Sequence, residues 1–79
     1  MSEEDEARRE IIRRLFYLIT VAAEDAATMA AEGQSRAFPT SELANAAVRL
    51  RAAGEMIEIV ASAIEALAAE LPSAPSTQP

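Results

Sequence analysis

The sequence predicts an all-α protein, an antiparallel two-helix hairpin that dimerises into a four-helix bundle. Apolar residues recur at alternating steps of three and four along most of the 79-residue chain, and one short break interrupts them. This period is helical, and two helices joined by a short loop pack antiparallel. We expect one hairpin over residues 1–71, with helix one at about 3–32, a loop at 33–40 and helix two at about 41–70.

Helix one is predicted to begin at Ser2, whose hydroxyl can cap free backbone amides at the positive end of the helix dipole. Its broad apolar face starts at Ile11, and a face this wide exceeds what one neighbouring helix covers. Gly33 is a natural residue to end the helix. Three acid-first i,i+4 ion pairs are expected in the first turns, Glu4–Arg8, Asp5–Arg9 and Glu10–Arg14. Two neighbouring rows form the apolar face, one of Ile12, Phe16, Ile19, Ala23, Ala26 and Ala30, the other of Ile11, Leu15, Leu18, Ala22 and Met29.

Helix two carries an apolar stripe that is unbroken over four heptads, which predicts packing along its whole length. Pro39 is expected to end any preceding helix, and Thr40 or Ser41 to cap this one. The stripe consists of Leu43, Ala46, Leu50, Ala53, Ile57, Val60, Ile64, Leu67 and Leu71.

A second row on helix two contains only small residues, Ala47, Gly54, Ala61 and Ala68, which suggests close approach of a neighbour. If facing residue numbers sum to 73, Ile19 meets Gly54 and Phe16 meets Ile57. Large residues then lie mostly opposite small ones, as interdigitated packing requires. We therefore expect glycine at position 54 because the opposing side chain leaves no space for a Cβ.

Residues 72–79 form a proline- and serine-rich tail, for which we expect disorder.

Association is the remaining means of stabilisation. A core of this size is marginal, and small chains commonly add disulfides, a metal or a second copy. The chain has neither cysteine nor histidine, which removes disulfides, thiolate zinc sites and imidazole chemistry. We expect a homodimer without a cofactor. The predicted dimer and core interface comprises Ile11, Leu15, Leu18, Ile57, Val60, Ile64 and Leu67, and a possible surface for a further partner comprises Tyr17, Val21, Val48 and Ile59.

The charge distribution argues against nucleic acid and membranes as partners. The net charge is −6, and each third of the chain is acidic, whereas nucleic-acid binders normally present a basic face. The longest apolar stretch, Leu15 to Ala23, is far shorter than a membrane span. A cytoplasmic protein is the expectation.

The chemical inventory argues against an enzyme. The serines have no histidine or lysine to activate them, and two glycines in the whole chain cannot form a phosphate-binding loop. Asp25 lies near the apolar face of helix one, where a carboxylate–metal site is conceivable. An ion pair with Arg49 or Arg51, or exposure to solvent, is the simpler expectation for it. We predict no catalytic, cofactor-binding or metal-binding residues.

These features predict a non-enzymatic protein–protein interaction module, an adaptor, chaperone or regulator, acting as a small acidic helical dimer with an unidentified protein partner. The alternative is an acidic inhibitor that mimics nucleic-acid phosphates. That role needs clustered acids, and Arg51 interrupts the row of Glu58 and Glu65. A carboxylate–metal enzyme is the least favoured interpretation.

Overall fold

A computed structural model describes residues 2–72 as two long helices packed against each other. Helix α1 spans Glu3–Gly33, a 3-10 helix spans Thr40–Glu42, and helix α2 spans Leu43–Ala69. No strand occurs in this part of the chain. The predicted helical hairpin is therefore confirmed. The tail prediction for residues 73–79 lies outside the described residues.

The start of α1 follows the prediction. Ser2 is its N-cap, and its hydroxyl accepts a hydrogen bond from the Asp5 amide at 3.1 Å. Of the expected ion pairs, Glu10–Arg14 forms at 3.3 Å. Arg8 instead approaches Asp5, one turn before it, at 3.7 Å.

The turn between the helices differs from the prediction. Gly33 is the last residue of α1 and has no positive φ, so the helix ends without a left-handed glycine. Turns continue beyond it, because the Ser35 amide donates to the Glu32 carbonyl and the Phe38 amide to the Ser35 carbonyl, each at 3.1 Å. Neither Thr40 nor Ser41 caps α2. The 3-10 helix leads directly into it, and its N-cap Glu42 makes no side-chain capping bond.

The contact line between the helices, here called the seam, follows heptad spacing on both. On α2 it is the predicted stripe without Leu43, which is exposed. On α1 it takes alternate members of the two predicted rows, so Phe16, Ala23 and Ala30 lie outside it. Besides Glu10, which lies outside the seam, the least exposed helix positions are Asp5, Arg8, Ile12, Leu15, Ile19, Ala22, Ala26 and Met29 on α1, and Ala46, Leu50, Ala53, Ile57, Val60, Ile64 and Leu67 on α2, followed by Leu71 just beyond its end.

The predicted register is wrong by about five residues. A sum of 73 would place Arg8 opposite Glu65, but its guanidinium bonds Glu70 at 3.2 Å. Phe16 shares a groove with Ile64 and Ala68 instead of facing Ile57. The reason lies in the connection, because the turns after Gly33 place the chain reversal near Pro39.

Burial within the hairpin is low. Among the described residues, only Ala22 falls into the buried class, with 7% of its surface exposed. Nine large apolar side chains are exposed. The hairpin thus has a seam, but no enclosed core.

Candidate interaction surface

The seam separates two flanks of the hairpin that differ chemically. One flank, here called the Met56 flank, comprises Ile11, Leu18, Val21, Met56 and Ile59, all of them exposed. The other, here called the Phe16 flank, comprises Phe16 and the small-residue row of α2.

One shared groove and the heptad spacing together place residues on the Met56 flank. Asp25 and Glu32 of α1 share a shallow groove with Arg49 of α2. Leu18 lies one heptad before Asp25, and Met56 lies one heptad after Arg49. Positions seven apart occupy the same face of a packed helix, so Leu18 and Met56 flank the seam on the same side.

The remaining members follow from helical spacing. Ile11 lies one heptad before Leu18. Val21 follows Leu18 by three residues, and Ile59 follows Met56 by three. Residues three apart are neighbours on a helix surface. The flank therefore carries large apolar side chains from both helices at mid-length, and such patches mark interaction sites more often than isolated exposed residues do.

The predicted dimer and core residues divide between two places. Leu15, Ile57, Val60, Ile64 and Leu67 are half-buried in the seam. Ile11 and Leu18 are exposed on the Met56 flank.

All four residues of the predicted partner surface are exposed. Val21 and Ile59 belong to the Met56 flank, whereas Tyr17 and Val48 lie on the outer faces of α1 and α2, directed away from the seam. Met56 was missed by sequence reasoning. Its position next to the stripe residue Ile57, one heptad after Arg49, was the signal available for finding it.

The Phe16 flank contains a groove of about 610 Å³ at the open end of the hairpin. Its floor is apolar, and two arginines border it. The lining residues are Glu6, Arg9, Ile12, Arg13, Phe16, Ile64, Ala68 and Leu71. Farther along this flank, a Cβ on Gly54 would meet no atom within 4 Å. Close packing against Gly54 inside the hairpin is therefore wrong, because Phe16 lies farther toward the open end and is itself 54% exposed.

The groove at the loop end is smaller, about 240 Å³, and is lined by Asp25, Thr28, Met29, Glu32 and Arg49. Asp25 is exposed, and no ion pair joins it to Arg49 or Arg51 in the described part of the chain. Over the same residues, no group of three acids gathers closely enough to hold a metal ion.

Ion pairs concentrate at the open end. Glu10 accepts from Arg13 at 2.6 Å and from Arg14 at 3.3 Å. The hydrogen bond and charge of Arg13, followed by those of Arg14, lower the pKa of the Glu10 carboxyl below its ordinary value of 4.5. Since all three side chains are exposed to solvent, these pairs support local helix structure and do not form a reactive site.

Comparison of the chain with protein-family models, with curated proteins and with solved structures finds no match in any of the three. Neither α1 nor α2 contains an apolar window long enough to cross a membrane.

Proposed function

We propose that this chain is a non-enzymatic protein-interaction module that associates with a second copy as a helical bundle. The bundle then serves as an adaptor, chaperone or regulator for another protein.

The low burial of the hairpin carries the proposal. Burying one large aliphatic or aromatic side chain contributes about 1.5–3 kcal/mol. With only Ala22 buried among residues 2–72, and nine large apolar side chains exposed, most of that contribution is still available to a partner. A twofold dimer is the commonest closed assembly that supplies one.

The chemistry of the chain supports a binding role over catalysis. Its sequence contains no cysteine, histidine or lysine, and its acids and arginines pair at the exposed open end. Cys, His and Lys are three of the common nucleophiles and bases of enzyme sites, and His or Lys is the usual activator of a serine. Binding through apolar surface requires none of them.

Sedimentation equilibrium over a concentration series, with circular dichroism on the same samples, tests the proposal. We expect a helical species of twice the 8.4 kDa chain mass at micromolar concentration. A helical monomer at that concentration would contradict self-association.

A further inference from the structure

The exposed apolar side chains are unevenly distributed around the hairpin. Five of the nine large ones, Ile11, Leu18, Val21, Met56 and Ile59, lie on the Met56 flank, and both helices contribute. Ile59 is the most exposed of all, at 70%. The Phe16 flank presents one large apolar side chain, Phe16, beside charged and small residues. The surface with most to gain from being covered is therefore the Met56 flank.

The charges around the Met56 flank indicate what kind of partner covers it. A net charge of −6 makes most faces of one copy repel another. The acids Glu24, Glu55, Glu58 and Glu65, however, occupy helical positions on other faces. The centre of the Met56 flank, formed by Leu18, Val21, Met56 and Ile59, thus carries no charged side chain. Arg14 lies on the same flank between Ile11 and Leu18, nearer the open end, where it pairs with Glu10 at 3.3 Å.

Both ends of the flank carry charges of both signs. At the loop end, Arg49 lies beside Asp25 and Glu32. At the open end, Arg8 bonds Glu70 at 3.2 Å. A twofold interface brings a surface against itself, so it must be self-complementary. An uncharged apolar centre with mixed charges at both ends meets that requirement.

We infer that the Met56 flank is the surface through which two copies of this chain pair, with Leu18, Met56 and Ile59 in the centre of the interface. This inference rests on the proposed self-association and specifies its site. The Phe16 flank then remains outside the dimer.

Two charge-introducing variants on the same helix test the inference. Ile59→Glu places a carboxylate in the centre of the patch. Val48→Glu is the matched control, because Val48 is also apolar and 57% exposed but faces away from the seam. Dissociation constants from sedimentation equilibrium should rise at least about tenfold for Ile59→Glu, equivalent to about 1.4 kcal/mol, and less than about twofold for Val48→Glu.

The outcomes separate the inference from the proposal on which it rests. A monomeric wild-type chain would contradict both. A wild-type dimer that Val48→Glu weakens as much as Ile59→Glu, or more, would overturn only the assignment of the flank.

Spin labels keep the test decisive if Ile59→Glu fails to fold. Because the chain has no cysteine, Ile59→Cys and Val48→Cys each offer a single labelling site. Pulsed dipolar measurements on the labelled dimers should give a shorter distance between copies for position 59 than for position 48. The reverse order would overturn the inference.

Discussion

At the scale of single residues, Gly54 occupies open space in the middle of a long helix. Glycine there costs about 1 kcal/mol relative to alanine, because the chain loses more backbone freedom on folding. A Cβ at this position would meet nothing within 4 Å. Gly54→Ala should therefore raise the free energy of unfolding by about 1 kcal/mol, measured by urea denaturation at matched protein concentration.

Ala61→Gly, one heptad later in the same small row, is the matched control and should lose a similar amount. If Gly54→Ala were neutral or destabilising, a second copy would be packing closely on the Phe16 flank. That result would also contradict the assignment of the dimer interface to the Met56 flank.

Ser2 holds the start of α1 through its bond to the Asp5 amide. Ser2→Ala removes that acceptor, and loss of an N-cap costs about 0.5–2 kcal/mol. Since the first turns are exposed, hydrogen exchange of the Asp5 and Glu6 amides should accelerate, whereas exchange in α2 should not change. Ser2→Asp, which retains an acceptor, should restore protection; uniform acceleration in both helices would contradict a local role.

Glu10 provides a prediction on pH. Its pKa is lower in the folded chain than its ordinary value of 4.5 because of Arg13 and Arg14. The stabilisation it contributes is therefore present above that ordinary value and is lost as the pH falls through the folded-state pKa. At pH 7 the thermal midpoint of the wild type should be higher than that of Glu10→Gln, and this difference in midpoint should disappear at pH 2. A gap that is equal at both pH values would show that these pairs do not act on stability.

At the scale of elements, the sequence predicted α2 better than α1. The stripe of α2 is flanked mostly by polar or small residues, with Met56 and Ile59 as the exceptions, so one face was clearly favoured. On α1, Leu15 and Phe16 are adjacent and equally apolar, and periodicity alone cannot decide which of them faces the neighbouring helix. The structure places Leu15 in the seam and leaves Phe16 exposed.

The register depended on the connection, which periodicity does not describe. A heptad stripe accepts several displacements along a partner helix, because each retains apolar contacts. The hydrogen-bonded turns between Gly33 and Pro39 select one of them. Met56 was overlooked for a related reason. Which residues of α1 share a flank with Met56 depends on which of the two apolar rows of α1 forms the seam, and periodicity left that choice open.

A substitution at Ile57 tests how much the seam contributes to stability. It is half-buried between the helices. Truncating a core isoleucine to alanine costs 2–5 kcal/mol, so partial burial predicts a loss of about 2 kcal/mol for Ile57→Ala. Val48→Ala, on the outer face of the same helix, should remain within about 0.5 kcal/mol of wild type. Chemical denaturation of both variants checks this, and equal losses would place the seam elsewhere.

At the scale of the whole molecule, the proposed self-association predicts that folding and association are coupled, because the hairpin alone encloses so little apolar surface. Melting should therefore depend on protein concentration. A hundredfold dilution should lower the thermal midpoint, measured by circular dichroism, by several degrees. The same dilution of a covalent tandem dimer should have almost no effect, and a midpoint independent of concentration for the single chain would contradict the coupling.

The position of the two flanks on opposite sides of the seam has a consequence for stoichiometry. A dimer that forms through the Met56 flank exposes two copies of the groove at the open end of the hairpin, which Arg9 and Phe16 line, one on each outer side. Such a pair is bivalent. A partner that carries two acidic, apolar segments on a tether long enough to reach both grooves would gain avidity through effective concentration, whereas a partner with one segment would bind only as tightly as a single groove permits.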